Sequence, residues 1–129
     1  MPTLGFQTEE FPAFYSRESG LSVDYRVDEP AEIARILQAK WSMDLHGGVL
    51  IANPVPSEFA FPKKDIDVVI QQALKEADAL KIKGKAITPF LLSKIEQLTK
   101  GNSLFTNIQL VLNNAQLAAE IACEMVKPA

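Results

Sequence analysis

Gly48-Val49-Leu50-Ile51-Ala52-Asn53-Pro54 is the stretch on which the fold turns. Four apolar residues in a row stand between a glycine and an Asn-Pro pair. The run is short, partly β-branched and free of alternation. It therefore predicts a strand buried on both faces, of the kind found in parallel sheets with helices on each side.

Upstream of it, Ile33, Ile36, Leu37, Trp41 and Leu45 recur at helical spacing, which predicts a helix over residues 30–45. Asp28 is expected to cap that helix, with Pro30 in its first turn, Glu32 near its positive end and Gly47-Gly48 beyond its close. Before the helix, residues 23–27 alternate apolar and charged side chains, as a half-exposed strand does. Strand, helix and strand in this order make a βαβ unit. Leu4-Gly5-Phe6-Gln7 reads as a further short strand, and residues 9–20, with Pro12 and Gly20, as a loop.

Downstream, residues 65–80 form the clearest amphipathic helix, with Ile66, Val69, Ile70, Ala73, Leu74, Ala77 and Leu80 on its apolar face. Thr88-Pro89 is expected to open another helix by a hydroxyl cap and a first-turn proline, burying Leu91, Leu92, Ile95 and Leu98 and ending before Gly101. Ser103 is expected to cap a last helix that runs to about Met125, with Leu104, Ile108, Val111, Leu112, Ala115, Ala118, Ala119 and Ala122 as its stripe. The class is α/β: about three short strands and four helices in one partial domain over residues 1–129. Three strands are thin cover for so many apolar helix faces. The sheet is expected to be an incomplete layered one, part of a larger α/β/α unit or of an assembly, with a self-contained three-layer domain as the alternative.

Composition narrows the function classes. Thirteen Lys and Arg against 16 Asp and Glu give a net charge of -3, with the basic residues scattered, so no footprint for nucleic acid is present. No apolar run reaches the ~18 residues that span a bilayer, and the N-terminus lacks a basic region followed by an apolar one. The single cysteine, Cys123, excludes an internal disulfide, and a cytoplasmic place is expected. Cys123 itself reads as a small buried hydrophobe in an apolar helix.

A few residues invite a chemical reading. In open α/β sheets ligands gather at the carboxyl ends of strands, which points to the loop Asn53-Pro54-Val55-Pro56; two prolines equally make a stiff surface loop. His46, the only histidine, is expected to serve a helix C-terminus rather than catalysis. Arg17, beside Phe14 and Tyr15, offers a planar fork for a phosphate or carboxylate; pairing with Glu18 or plain solvation is the other reading. Asparagine is a poor interior helix residue, yet Asn107, Asn113 and Asn114 stand in the last helix. Either they bond a ligand or they bond the backbone of a loop across the core, and the adjacent pair is read as structural. No zinc, EF-hand or phosphate-loop pattern occurs, since Gly47-Gly48 precedes its strand instead of following one.

The stretches Glu10-Phe11-Pro12-Ala13-Phe14-Tyr15-Ser16-Arg17-Glu18-Ser19-Gly20, Lys40-Trp41, residues 28–35 and 47–56, Gly84-Lys85 with Thr88-Pro89-Phe90-Leu91-Leu92, and Asn107-Ile108-Gln109-Leu110-Val111-Leu112-Asn113-Asn114-Ala115 resemble, in order and spacing, the C-terminal portion of pseudouridine-5′-phosphate glycosidases. The resemblance implies reversible cleavage of the carbon–carbon glycosidic bond of pseudouridine 5′-phosphate to uracil and ribose 5-phosphate. It further implies a lysine that forms an imine with the ring-opened sugar, a glutamate that handles protons, a manganese ion with aspartate ligation, and a homotrimer. In the family those three side chains precede the segment that aligns with Leu4-Gly5-Phe6-Gln7. No catalytic residue and no metal ligand is therefore expected in this chain, and the 129 residues are expected to be inactive alone. Asn107 aligns with an asparagine that faces the family's active site, which makes it the expected substrate-binding residue. The alternative is a non-catalytic assembly or sugar-phosphate-binding module.

Overall fold

The computed structural model describes residues 1–128. In chain order the elements are β1 (Thr3–Phe6), β2 (Tyr25–Val27), α1 (Pro30–Ser42), β3 (Leu50–Ala52), α2 (Lys63–Ala79), a single 3-10 turn (Gly84–Ala86), α3 (Ile87–Leu98) and α4 (Asn102–Met125). The three strands and four helices are those expected, but β3, expected to be buried on both faces, leaves Leu50 exposed and Ile51 half-buried because it lies at the edge of the sheet. The sheet is parallel throughout, in the order β2-β1-β3, with Leu4 opposite Tyr25 on one side and Ile51 on the other. β2, α1 and β3 form the βαβ unit, and the crossover steps over β1.

β1 reaches its parallel neighbour β2 through a long loop without a helix. The Glu10 carboxylate holds that loop together by accepting the amides of Ser19 and Gly20, both at 3.1 Å, while Phe11 N donates to Leu21 O at 2.7 Å. Leu4 sinks between the sheet and the helices with Val27, Ile33, Leu37, Leu117 and Ile121, so α1 and α4 cover one face of the sheet. A second cluster of Tyr15, Ile66, Ala73 and Ile95 binds the α2–α3 pair to the loop. Lys94 of α3 closes that pair with an ion pair to Glu76, which holds the Glu76 carboxyl below its usual range.

The helix ends differ from expectation. Glu29 occupies the N-cap of α1 without a side-chain bond, because the Asp28 carboxylate is taken by Arg26 at 2.9 Å. α1 stops at Ser42, short of Leu45: Asp44 adopts a left-handed φ of 57°, and Lys40 Nζ then donates to the carbonyls of Leu45, His46 and Gly47. Lys40, in the last turn of α1, thus braces the loop beyond the helix, and His46, expected to serve the helix end, instead lies 3.4 Å from Asp44 in solvent. Thr88 lies inside α3 because the 3-10 turn starts the helix a turn earlier. Gly101, at φ 85°, is the N-cap of α4, and Ser103 is buried with its amide bonded to Thr99 Oγ1 at 3.1 Å. Of the face expected on α2, Leu74 and Leu80 are exposed, as is Leu92 on α3.

The largest correction concerns α4. Its covered residues are Ser103, Thr106, Leu117 and Ile121. The stripe expected to be buried is open: Leu104 is 47% exposed, Ile108 48%, Val111 65% and Leu112 58%. Cys123, expected to be buried, is exposed as well. No helix among the described residues is long and apolar enough to cross a membrane.

Candidate functional site

β1 ends at Phe6 and β3 at Ala52, so their carboxyl ends open on the same side of the sheet. A cleft of about 340 Å³ lies there, bounded by Gln7, Arg17, Asn53, Pro54, Ser57 and Asn113. Each wall has a local cause. The prolines of Asn53-Pro54-Val55-Pro56 fix the exit of β3. Asn113 Nδ2, from α4, donates to Pro54 O at 3.1 Å, and Asn53 Nδ2 donates to Asn114 Oδ1 at 3.0 Å. Asn113 thus does what the sequence suggested, bonding a loop backbone, whereas Asn114 is exposed and accepts from the side chain of Asn53.

Arg17 joins the two loops. Its Nη1 donates to Val55 O at 2.7 Å, and among the described residues its guanidinium makes no ion pair with Glu18. The guanidinium keeps further donors for an anion. A second cleft of about 530 Å³ adjoins the first across Arg17, toward Lys63 and Lys64 at the start of α2. It is larger, but it is a groove between loop and helix. The smaller cleft sits at the strand ends, where parallel sheets bind ligands, and is taken as the candidate site.

Gln7 was not singled out by the sequence reading. It follows β1 directly, at a left-handed φ of 55°, and its Nε2 donates to Asp28 O at 3.1 Å. The signal was available: the strand-end rule that pointed to Asn53 applies equally to the residue after Phe6.

Asn107 lies outside the walls of this cleft, where α4 meets the loop. Its Oδ1 is buried without a hydrogen-bond partner, as are Tyr15 OH and Ser103 Oγ. The three groups adjoin one another. Burial raises the Tyr15 phenol above its ordinary value of 10.0, and its neighbours Asn107 and Ser103 pull in the opposite direction. The linkage has a definite sign. A phenol with a raised folded-state value keeps its proton in the folded chain after the unfolded chain has lost it. Its contribution is complete below pH ~10 and is lost as pH climbs through the raised value. Stability measured by urea unfolding is expected to fall more steeply above pH ~10 in the native sequence than in Tyr15→Phe. Parallel curves for the two chains would contradict this.

The family model described as "Indigoidine synthase A like protein" matches residues 1–124. A pseudouridine-5′-phosphate glycosidase of Petrotoga mobilis is 57% identical over 96% of the chain, and one of Caldanaerobacter subterraneus 54% over 98%. The chain spans about 40% of the length of these curated relatives: 40% of the first and 41% of the second. Among solved structures, an indigoidine synthase A-like protein of Thermotoga maritima superposes with a TM-score of 0.80 at 37% identity, over 95% of this chain and 40% of that one. The prealnumycin C-glycosynthase AlnA, solved with ribulose 5-phosphate, gives a TM-score of 0.85 at 27% identity, over 96% and 41%.

Proposed function

The chain belongs to the indigoidine synthase A-like family, that of the pseudouridine-5′-phosphate glycosidases, and from this premise we propose that it supplies the strand-end wall of a site that reversibly cleaves pseudouridine 5′-phosphate to uracil and ribose 5-phosphate. The observation that carries the reading is identity above 50% along nearly the whole chain, joined to a cleft at the carboxyl ends of β1 and β3. A solved neighbour that holds a pentulose phosphate supports a sugar phosphate as the class of ligand.

Within this reading the chain's own residues bind and orient. Arg17 meets an anionic group with its remaining donors while its bond to Val55 O keeps the two loops in place. Asn53 and Asn113 hold the cleft's other wall. Asn107 is assigned as a substrate-binding residue on the resemblance, although it stands beside Tyr15 and Ser103 and outside the walls of the cleft. The imine-forming lysine and the proton-handling glutamate belong to family sequence that precedes the matched segment. Among the described residues no three His, Cys, Asp or Glu side chains converge as a metal ion requires. The manganese implied by the resemblance would take its aspartate from that preceding family sequence. A homotrimer in the cytoplasm completes the reading.

The test joins the unmatched part of the Petrotoga mobilis glycosidase to Met1 of this chain. The chimera is expected to release uracil from pseudouridine 5′-phosphate and to be trapped covalently with ribose 5-phosphate by borohydride. The 129 residues alone are expected to do neither. A borohydride adduct on the chain alone would overturn the assignment.

A further inference from the structure

Tyr15, in the loop between β1 and β2, is 3% exposed, and its ring stands edge-to-face with those of Phe14 and Phe61. Phe61 N donates to Tyr15 O at 2.9 Å, and Thr106 Oγ1 of α4 donates to Phe59 O at 2.8 Å. Residues 59–61 thus fasten the Tyr15 backbone and α4 to one another. The phenol ends at Ser103 and Asn107, which stand four residues apart on α4 and so on one side of it.

Donors and acceptors match in number here. Tyr15 OH and Ser103 Oγ each have one hydrogen to give, and the Asn107 carboxamide oxygen has two lone pairs to receive them. All three atoms are buried and adjoin one another short of hydrogen-bond geometry. Buried polar groups are almost always bonded, and such contacts often tighten only when a ligand is present. Two hydroxyls donating to the one oxygen satisfy all three. The Asn107 Nδ2 is not among the buried atoms without a partner, and no group among the described residues accepts from it. At about 100° per residue, half-buried Asn107 stands about 40° from Ser103, on the covered side of α4, and about 40° from Val111, 65% exposed, on the other. With its oxygen turned to the covered side, the carboxamide points its Nδ2 hydrogens to the open one.

We propose that Tyr15 and Ser103 are positioning residues: their hydroxyls hold the Asn107 carboxamide by its oxygen, so that Nδ2 is the end presented to the substrate and the group it takes is a hydrogen-bond acceptor, a carbonyl or hydroxyl oxygen. The inference rests on the reading of Asn107 as a substrate-binding residue and names the chemistry at that residue. A carboxamide offers a donor and an acceptor of nearly the same shape. Unanchored, it turns either end outward and takes donors and acceptors alike. Anchored by its oxygen, it discriminates, because a ligand N–H brought against Nδ2 leaves two donors opposed. The loop that carries Tyr15 also carries Arg17, bonded to Val55 O at 2.7 Å, so one loop sets both contacts.

The test is a double-mutant cycle in the chimera described above, read as KM and kcat for pseudouridine 5′-phosphate. Asn107→Ala is expected to raise KM roughly 10-fold and Tyr15→Phe roughly 3- to 10-fold, the worth of neutral hydrogen bonds, with kcat changed less. Tyr15→Phe keeps the ring between Phe14 and Phe61. In the Asn107→Ala background the same change is expected to leave KM where it is, because Tyr15 acts through Asn107. A Tyr15 that only supports the loop adds its effect in both backgrounds, and that result would overturn the proposal. Asn107→Asp keeps an oxygen for the two hydroxyls and has no hydrogen to offer. It is expected to raise KM at least as far as Asn107→Ala; an unchanged or lower KM would show that residue 107 meets a donor, and would also overturn it. A second readout does not depend on turnover. In the chimera with isotope-labelled asparagine, the side-chain amide signals of Asn107, identified by their loss in Asn107→Ala, are expected to shift in Tyr15→Phe and in Ser103→Ala. Shifted signals in a chimera that releases no uracil keep the anchor and sink the activity. Unshifted signals in an active chimera sink the anchor.

Discussion

Gly5→Ala is expected to cost the fold about 3 kcal/mol, a large part of the ~5–15 kcal/mol that holds a domain together. Gly5 sits in the middle of the central strand, registered with Arg26 on one side and Ala52 on the other. A methyl group there would press into the Thr8 carbonyl and stand 2.8 Å from Val23 Cγ2. Neither neighbour gives way cheaply. β1 is pinned on both edges, and the Thr8 carbonyl is backbone in a turn where Thr8 Oγ1 donates to Glu10 O at 3.0 Å. The strain passes to Gln7 and to the loop that carries Arg17. The measurement is the urea midpoint at constant slope. Gly48→Ala is the control, since a Cβ there meets only Met1 Sδ at 3.8 Å and should leave the midpoint nearly unchanged. Equal midpoints for the two variants would show that the loop over β1 yields freely.

Arg17→Met is the second large effect, and it is felt at the site. The substitution keeps the stem's bulk and removes the charged fork. Lost are the bond to Val55 O and whatever anion the other donors engage. Hydrogen bonds from charged groups contribute about 1.5–3 kcal/mol, so KM for pseudouridine 5′-phosphate in the chimera is expected to rise roughly 10- to 100-fold, with a smaller change in kcat. Arg17→Lys is not expected to restore it, because a single ammonium cannot hold the Val55 carbonyl and an anion in the same geometry. An unchanged KM would reduce Arg17 to a strap between loops.

The candidate site was legible in part. Strand ends could be named from the apolar runs, and with them the loop after β3. Arg17 drew notice by its type and its neighbours. Its partner could not be read, because Val55 is remote in sequence and contributes a backbone carbonyl, which no residue pattern marks. Asn113 and Asn114 betrayed themselves as polar residues in an apolar helix, and the loop they hold is the one whose direction the prolines set.

What the amino-acid sequence determined alone was local or familial: the apolar run of β3, the helical spacing of α1, α2 and α4, the βαβ order, and the family through long matched stretches. Tertiary structure decided which faces are satisfied. Periodicity records that a side of a helix is apolar, but burial is a relation between that side and another surface. On α4 the stripe with the most leucine, isoleucine and valine proved to be the open one, and the covered one was built from Ser103, Thr106, Leu117 and Ile121. Helix caps went the same way: Asp28 was drawn off by Arg26, and Ser103 was carried inside the helix by a left-handed Gly101. A side chain that can satisfy two partners goes to the one that folding brings within reach, and only the folded chain says which that is.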